Sequence, residues 1–258
     1  MPIDLKTISE LRDKTGIGIG DCKAALEESG GDINLAIEIL RKKGELKAAK
    51  KADRAAKEGV IAFIEKDGKL AVVTLNCETD FVALTDDFQQ TAENFAAKLL
   101  ELADEPAFRA WAEEFIKNEL VMKIGENLQL GGVGIFSGPV IGSYLHSNKK
   151  IAGVVILSGG TQQLARDIAM QIAAMSPKYL NPESVPAADL DKEKEIYREQ
   201  LKNENKPEAI WNKIIDGKLT KFYEENCLAS QRFIKDDEKK IKDLLGDNQL
   251  LSFARFQV

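Results

Sequence analysis

Residues 59–76 read GVIAFIEKDGKLAVVTLN, and this stretch decides the fold class. Two apolar runs flank a central Asp-Gly pair, which strongly favours a two-residue β-hairpin turn. Further strand-like runs follow at 127–136, 139–147 and 151–159, while most of the remaining chain carries helical periodicity. Because the strands cluster in hairpins instead of alternating with helices, the sequence predicts an α+β protein.

The residues before the hairpin predict a small bundle of three helices. Apolar positions recur at helical spacing, Asp32 has the position of an N-cap, and Gly16, Gly30 and Gly44 stand where the helices would end. From Arg41 to Lys57 the chain carries eight basic residues against two acids. That charge fits a solvated helical connector, or a strip that contacts an acidic partner.

Amphipathic helices are predicted after the hairpin and after the later strands. Their predicted bounds are 85–103, 107–123, 161–175, 188–204 and 207–226. The last two carry narrow apolar seams on highly charged surfaces, which predicts an antiparallel helical hairpin that projects as an arm. After this arm, a short helix and a final strand are expected to return to the sheet.

The composition is that of a folded protein with moderate negative charge. Of the 258 residues, 44% are hydrophobic and 30% are charged, and 36 basic residues against 42 acidic ones give a net charge of −6. Disorder and wholesale nucleic-acid binding are therefore disfavoured. No run reaches the roughly 18–20 apolar residues of a membrane span, and the first residues lack the pattern of a secretory signal. We expect a cytosolic protein that binds neither nucleic acid nor membrane.

Catalytic and metal-binding chemistry finds little support in the sequence. Cys22, Cys77 and Cys227 form no C-x-x-C pair and are expected to be buried thiols. His146 is the single histidine, which nearly excludes a Ser-His-Asp triad or a multi-histidine metal site. Residues 16–20, GIGIG, follow a predicted helix and lack the Lys-Ser/Thr of a phosphate loop, so they predict a turn. No catalytic residue, metal or cofactor is expected.

Residues 74–84, TLNCETDFVAL, contain an unusual change of character. The predicted strand ends near Asn76, and an acidic run then carries a lone Phe81 into a predicted loop. In one interpretation Phe81 belongs to the core, and in the other it forms an exposed loop tip beside Asp80. An exposed aromatic side chain on such a loop would indicate a site for a partner.

Five segments together resemble the bacterial translation elongation factor Ts family. They are TGIGIGDCKAALEESGGDINLAIEILRKKG, KAAKKADRAAKEG, LNCETDFVA, KIGEN and SYLH, and the similarity continues through DIAMQIAA to the closing FARFQV. Members of that family are guanine nucleotide exchange factors for elongation factor Tu. The resemblance implies no covalent chemistry, no bound cofactor or nucleotide, and elongation factor Tu as the partner. It leaves the oligomeric state open, with a dimer of heterodimers as one arrangement.

The resemblance also implies a division into domains. Residues 1–54 would form a ubiquitin-associated (UBA)-like three-helix domain with its basic connector, and residues 55–139 a first α/β core subdomain. Residues 140–183 and 229–258 would form a second α/β core subdomain. An antiparallel coiled-coil hairpin, residues 184–228, would be inserted into this second subdomain.

A set of partner-binding residues follows from the same resemblance. They are Arg12, Ile19, Gly20, Lys23, Lys51, Thr79, Asp80, Phe81, Val82, Ile124, Gly125 and Gln171. In this family the segment from Thr79 to Val82, here called the TDFV segment, enters the GTPase domain of elongation factor Tu near the magnesium ion of the nucleotide. Phe81 would insert between two helices of the partner, displace groups around the metal and phosphates, and so loosen GDP.

The sequence departs from the family pattern at three places. Ile19-Gly20 replaces a common Met-Met pair, which removes one large apolar side chain, and Gln171 stands where some members carry a contacting histidine. The sequence stops at RFQV, without the helical C-terminal module that some members add. Two other classes stay open: an enzyme that uses the glycine-rich turn, and a UBA-type adaptor built on residues 1–44.

Overall fold

The computed structural model describes residues 3–258, which divide into two compact units. One unit comprises the described residues up to Ile135 together with Gln257 and Val258, and the other runs from Phe136 to Phe256. Each unit combines helices with a small sheet that contains antiparallel strand pairs. The predicted α+β class is therefore confirmed.

The first unit contains the three N-terminal helices, the hairpin and the helices that follow it. Its helices are α1 (Leu5–Thr15), α2 (Ile19–Glu28), α3 (Ile33–Lys51), α4 (Asp80–Ala83), α5 (Asp86–Leu102), α6 (Glu105–Phe115) and α7 (Val121–Ile124), with a π-helical turn at Ile116–Leu120 between α6 and α7. Its strands are β1 (Glu58–Lys66), β2 (Lys69–Cys77) and β3 (Gln129–Ser137), in the order β1-β2-β3, and β3 leads into the second unit.

The hairpin forms as the Asp-Gly pair predicts. β1 and β2 pair antiparallel along their whole length. Asp67 and Gly68 have φ angles of +52° and +69°, which are the two positive values of a type I′ turn. β2 is buried almost throughout and lies at the centre of the three-stranded sheet. It ends at Cys77, immediately before the TDFV segment.

Helix α5 packs on β1 and β2 and supplies large core side chains. Phe88 and Phe95 on α5 and Phe108 on α6 are buried. The ring of Phe95 stands edge-on to those of Phe108 and Trp111, with centroids 6.2 and 5.1 Å away. Edge-to-face aromatic pairs add to the stabilisation from apolar burial. The residues that follow the TDFV segment are thus fixed to a packed core.

The N-terminal helices differ from the prediction at the end of α3. This helix continues past Gly44 to Lys51, through much of the basic segment. Gly44 is buried inside the helix, where a Cβ atom would lie only 2.8 Å from the carbonyl oxygen of Lys117. The glycine therefore allows α3 to pack closely on the π-helical turn and does not end the helix. Met122 on α7 belongs to the apolar cluster of the N-terminal helices, so these helices share their core with the rest of the unit.

The helix predicted at 107–123 is present, but the π-helical turn divides it. π-Helical turns have i→i+5 hydrogen bonds and appear mostly as single turns within α-helices. Ile116 and Leu120 pack in the main core around the sheet, whereas Met122 packs among the N-terminal helices. Arg41 on α3 also forms an ion pair with Glu119, with a nitrogen–oxygen distance of 2.8 Å. One continuous helical stretch thus serves two apolar clusters.

The second unit contains the remaining sheet and the helical hairpin. Its strands are β4 (Val140–Leu145), β5 (Ile151–Leu157), β6 (Arg232–Phe233), β7 (Asp236–Lys240) and β8 (Leu250–Gln257), and its helices are α8 (Gln162–Met175), α9 (Ala187–Asn203), α10 (Trp211–Asn226) and α11 (Ile241–Leu244), with 3-10 turns at Pro182–Ser184, Glu208–Ile210 and Leu228–Ser230. The sheet order is β4-β5-β8, so the final strand returns to the sheet as predicted. The separate pair of β6 and β7 was not predicted.

Helices α9 and α10 pack against each other as the predicted helical hairpin. The side chains buried between them are Leu201, Ile215 and Leu219. Lys218 on α10 donates from Nζ to Oε1 of Gln200 on α9 at 2.7 Å. Phe222, further along α10, packs in a second cluster with Val185 and Cys227.

Candidate protein-binding site

Phe81 is an exposed aromatic side chain on the first unit. The segment predicted as a loop contains one helical turn, α4, on which Phe81 is 81% exposed, and Leu84 just after it is 72% exposed. Residues three apart lie on one face of a helical turn, so Phe81 and Leu84 form an exposed apolar pair. The interpretation that places Phe81 in the core is therefore wrong.

The other face of α4 is anchored in the core. Ala83 is buried, and Val82 is half-buried against the main apolar cluster. Thr79 caps the turn, because its Oγ1 accepts a hydrogen bond from the Val82 backbone N–H at 3.4 Å. Thr85 caps the next helix in the same way, with 3.3 Å from the Phe88 nitrogen to its Oγ1. Two N-caps in close succession fix the backbone on both sides of the exposed pair.

The carboxylate of Glu126 binds the start of the TDFV segment. Its Oε2 accepts from the backbone N–H groups of Glu78 and Thr79 at 2.9 and 3.1 Å, and its Oε1 accepts from the Thr79 hydroxyl at 2.6 Å. In return, Oε1 of Glu78 accepts from the backbone N–H of Asn127 at 2.6 Å. Each glutamate thus binds the backbone of the other's segment. Hydrogen bonds to an ionised carboxylate are stronger than neutral ones.

The residues around the end of α3 join this arrangement. Arg54 forms an ion pair with Glu78, with a nitrogen–oxygen distance of 3.5 Å. Its carbonyl oxygen accepts from Nδ2 of the buried Asn127 at 2.6 Å. Lys51 donates from Nζ to the carbonyl oxygen of Gly125. Part of the basic segment therefore has a structural role inside the first unit.

Gly125 sets the direction in which Glu126 leaves α7. Its φ angle is +83°, and its N–H bonds to the Val121 carbonyl oxygen at 3.0 Å, which ends the helix. Side chains other than hydrogen rarely accept this backbone conformation. Ile124 just before it is half-buried against the main core. The predicted residues that the structure brings together are Lys51, Thr79, Asp80, Phe81, Val82, Ile124 and Gly125.

The predicted partner-binding residues on the N-terminal helices lie at the surface of the first unit. They are Arg12, Ile19, Gly20 and Lys23. The turn between α1 and α2 lies beside α7, because a Cβ atom on Gly16 would be 3.1 Å from Cε of Lys123. Lys123 in turn forms an ion pair with Asp87 at the start of α5, at 3.2 Å. The glycine-rich turn and the start of α5 therefore both border α7.

Gln171 does not present its side chain at a surface. It lies in the second unit with 0% exposure. Its Nε2 donates to Oε1 of Gln231 at 3.2 Å and to the Arg232 carbonyl oxygen at 3.0 Å, and its Oε1 accepts from the Ile234 N–H at 2.9 Å. Buried amides need such partners. Gln171 thus ties α8 to β6, and its contact with a partner stays a prediction.

Two residues of the site were not predicted. Leu84 lies two residues beyond the TDFV segment. Its three-residue spacing from Phe81 places the two side chains on one face only if the segment is helical. Glu126 lies inside the KIGEN motif, directly after the predicted Ile124 and Gly125. Its role depends on a contact between segments 47 residues apart, for which sequence periodicity provides no signal.

Cys77 lies directly beneath the TDFV segment. Its thiol donates to the carbonyl oxygen of Thr79 at 3.1 Å. Burial, reinforced by the negative charge of Glu126, raises the pKa of Cys77 from 9.0 to about 12. The group therefore stays a thiol at neutral pH and acts as a hydrogen-bond donor. Because the thiolate is the reactive form of cysteine, the raised pKa disfavours nucleophilic reactivity of Cys77.

Within residues 3–258, no group of three or more His, Cys, Asp or Glu side chains is arranged to hold a metal ion. In the same part of the chain, no helix is both long and apolar enough to cross a membrane.

The candidate site consists of the exposed side chains of Phe81 and Leu84, an aromatic and an aliphatic residue. They lie on or next to the turn α4, whose other face packs on the core. Exposed aromatic side chains on a fixed backbone are typical of protein recognition. Fold and site together are those of an α+β protein with a candidate protein-binding surface.

Comparison with known proteins identifies the family to which the chain belongs. Residues 78–258 match the family model described as Elongation factor TS. Proteins named Elongation factor Ts from Deinococcus deserti and Aquifex aeolicus are each 40% identical to the chain, over 98% and 100% of it and over 99% and 98% of their own lengths. The protein of the same name from Marinobacter nauticus is 43% identical over 97% of the chain and 89% of its own length. The chain belongs to the elongation factor Ts family of translation factors.

Proposed function

We propose that the chain is a guanine nucleotide exchange factor that binds translation elongation factor Tu and promotes release of GDP from it. The observation that carries this proposal is Phe81, which is 81% exposed on a capped turn. Membership of the elongation factor Ts family supports elongation factor Tu as the partner. The factor performs no covalent chemistry, and it acts by binding the nucleotide-free partner more tightly than the GDP-bound partner.

Phe81 is the side chain that disturbs the nucleotide site in this proposal. Inserted between two helices of the GTPase domain, with Asp80 beside it, Phe81 displaces groups that hold the magnesium ion and phosphates of GDP. Full burial of a phenylalanine side chain stabilises a complex by about 1.5–3 kcal/mol. Each tenfold loss of nucleotide affinity requires about 1.4 kcal/mol. One side chain is therefore insufficient for a large acceleration, and other contacts must contribute.

The glycine-rich turn supplies some of those contacts. Ile19 is 55% exposed there, and Arg12 and Lys23 add positive charge nearby on the same helices. By thermodynamic reciprocity, the factor by which the chain weakens GDP binding equals the factor by which GDP weakens binding of the chain. A broad interface thus serves both affinity and exchange.

Release of fluorescently labelled GDP from purified elongation factor Tu tests the proposal directly. We expect the chain to accelerate release, and the acceleration to saturate as its concentration rises. Unlabelled GDP in excess prevents rebinding, and bovine serum albumin at equal concentration controls for non-specific effects. GDP release that is the same with and without a saturating amount of the folded chain would refute the proposal.

We also propose that the chain itself binds no nucleotide. The glycine-rich turn at 16–20 connects α1 to α2 with no strand before it and no phosphate-binding lysine after its last glycine. Titration calorimetry of the isolated chain with GDP and magnesium is expected to give no heat of binding. A dissociation constant in the micromolar range would contradict this and would favour the enzyme alternative.

Family membership supports three finer proposals about architecture. Helices α1 to α3 form a UBA-like domain, as the division at residues 1–54 supposes. The hairpin of α9 and α10 is an antiparallel coiled coil inserted into the second of two core subdomains. Two complexes with elongation factor Tu associate as a dimer of heterodimers, which sedimentation of the mixed proteins would measure.

A further inference from the structure

We infer that Glu126 is a positioning residue for nucleotide exchange, and that its carboxylate holds the TDFV segment in the conformation that presents Phe81. The inference rests on the proposed function, because it assigns a cause to the placement of the proposed exchange residue. Glu126 itself need not touch the partner: its carboxylate bonds to Glu78 and Thr79, two to three residues before Phe81.

Three hydrogen bonds hold the Glu126 carboxylate against the start of the TDFV segment. Three donors converge on its two oxygens, namely the N–H groups of Glu78 and Thr79 and the hydroxyl of Thr79, at 2.9, 3.1 and 2.6 Å. A carboxylate is an acceptor only, with room for several donors, so it suits this arrangement. Because the hydroxyl of Thr79 donates to Glu126, its oxygen is turned to accept from Val82 at 3.4 Å. Glu126 thereby orients the N-cap of α4.

A turn as short as α4 needs such an external partner. Only four residues, Asp80–Ala83, are helical, and isolated helices of this length are unstable in water because nucleation is unfavourable. The apolar contacts of Ala83 and Val82 fix the end of the turn, whereas the bonds of Glu126 fix its start. Loss of the Glu126 side chain removes the acceptor of the backbone N–H groups of Glu78 and Thr79, which precede Phe81.

The position of Glu126 is in turn fixed by its neighbours. Gly125 turns the chain at the end of α7, and the Asn127 N–H is bound by Glu78 at 2.6 Å. Both glutamates therefore take part in one reciprocal arrangement, but only Glu126 reaches the hydroxyl that caps α4. The consequence is a division of roles in which Phe81 makes the partner contact and Glu126 determines where Phe81 stands.

The test compares Glu126→Ala with Glu126→Gln in stimulated GDP release, measured over a range of factor concentrations. Glutamine keeps an oxygen that can accept from both backbone N–H groups and an amide that can donate to the Thr79 oxygen. We expect Glu126→Ala to lower the maximal exchange rate on the order of tenfold or more, with a smaller change in the concentration that gives half of it. Glu126→Gln is expected to restore most of the lost rate. The matched control is Glu113→Ala, an exposed glutamate on α6, which is expected to exchange like the unmodified chain.

Hydrogen–deuterium exchange on the same variants separates positioning from general stability. Amide protection of residues 78–84 is expected to fall in Glu126→Ala and to be retained in Glu126→Gln, while the buried strand β2 stays protected. If the alanine variant does not fold, Thr79→Val against Thr79→Ser tests the same hydroxyl bond with a smaller change. No acceleration by the unmodified chain would refute the proposed function. If Glu126→Ala accelerates GDP release as much as the unmodified chain does, the positioning role alone is refuted. The same follows if Glu126→Gln is as slow as Glu126→Ala.

Discussion

At the scale of the residue, two phenylalanines in adjacent elements have opposite roles. Phe81 on α4 is 81% exposed, whereas Phe88 near the start of α5 is 1% exposed. In the sequence, both phenylalanines have acidic or polar neighbours. The sequence alone therefore does not determine whether Phe81 is buried. Its exposure depends on a backbone turn that is capped by Thr79 and held by Glu126, and neither contact is visible in the sequence pattern.

The Phe81→Ala variant is expected to keep its melting temperature and to lose exchange activity. An exposed side chain contributes little to folding, but an interface residue of this type typically contributes about 2 kcal/mol or more, a rate loss of about thirtyfold if it all appears in the barrier. Phe88→Ala is the matched control and should lose about 3–5 kcal/mol of stability, because it leaves a cavity in the core. A thermal melt and stimulated GDP release measure both variants. A strong fall in the melting temperature of Phe81→Ala with normal exchange would show that Phe81 is structural.

The raised pKa of Cys77 predicts that the protein loses stability at alkaline pH. Its pKa is about 12 in the folded protein against an ordinary 9.0, so between these values the folded state keeps a proton that the unfolded state has lost. The free energy of unfolding therefore falls as the pH rises through this window, by at most about 1.4 kcal/mol per pH unit for one thiol. Urea unfolding at pH 8, 9 and 10 should show a steeper decline for the unmodified chain than for Cys77→Ala. Equal declines would show that the thiol is not protected in this way.

At the scale of the element, Gly44 shows how packing overrides a local signal. A glycine near the end of an apolar pattern predicts a helix terminus, yet α3 runs through this residue to Lys51. The competing cause is the close approach of Lys117 on the π-helical turn. The same limit explains why β7, Asp236–Lys240, was not predicted, since its residues DDEKK have no alternation of apolar and polar side chains. The Asp-Gly hairpin and the helices α5 and α8 were predictable, because their signals are local.

Substitution of Gly44 by alanine is expected to destabilise the protein. Alanine favours a helix over glycine by about 1 kcal/mol, but its Cβ would lie 2.8 Å from a carbonyl oxygen and 3.1 Å from the Met122 side chain. Overpacking of this kind costs about 1–3 kcal/mol, so the net change should be a loss. Gly217→Ala on α10 is the control, because a Cβ there meets no atom within 4 Å, and it should be neutral or stabilising. Chemical denaturation of both variants measures the difference, and equal stability would contradict the close packing.

At the scale of the whole molecule, the first unit carries every predicted partner-binding residue except Gln171. Family resemblance supplied these residues, and the sequence patterns alone indicated only Phe81 beside Asp80 and the basic segment that contains Lys51. Gln171 differs from the other predicted residues because its side chain is buried. The residue occupies the position where some family members carry a contacting histidine. In this chain its amide is hydrogen-bonded to Gln231, Arg232 and Ile234 within the second unit.

The contribution of the N-terminal helices to binding can be separated from their contribution to folding. Deletion of residues 1–54 is expected to weaken association with elongation factor Tu and also to lower the melting temperature, because Met122 loses its apolar surroundings. Ile19→Asp should weaken association on the order of tenfold or more without the loss of stability, since Ile19 is exposed. Surface plasmon resonance and thermal melts measure both effects. Unchanged affinity of Ile19→Asp would place the interface elsewhere.

The order of strands in the second sheet has a consequence for the synthesis of the protein on the ribosome. β5 ends at Leu157, and its partner β8 begins only at Leu250, after the helical hairpin. A growing chain presents its N-terminal part first, and pairings between distant segments form late because they close long loops. The first unit, whose sheet is complete by Ser137, can therefore fold while the second sheet still lacks a strand. Between the synthesis of Leu157 and that of Leu250, the nascent chain would expose an unpaired edge of β5, and such an edge is a template for pairing with a strand of another chain.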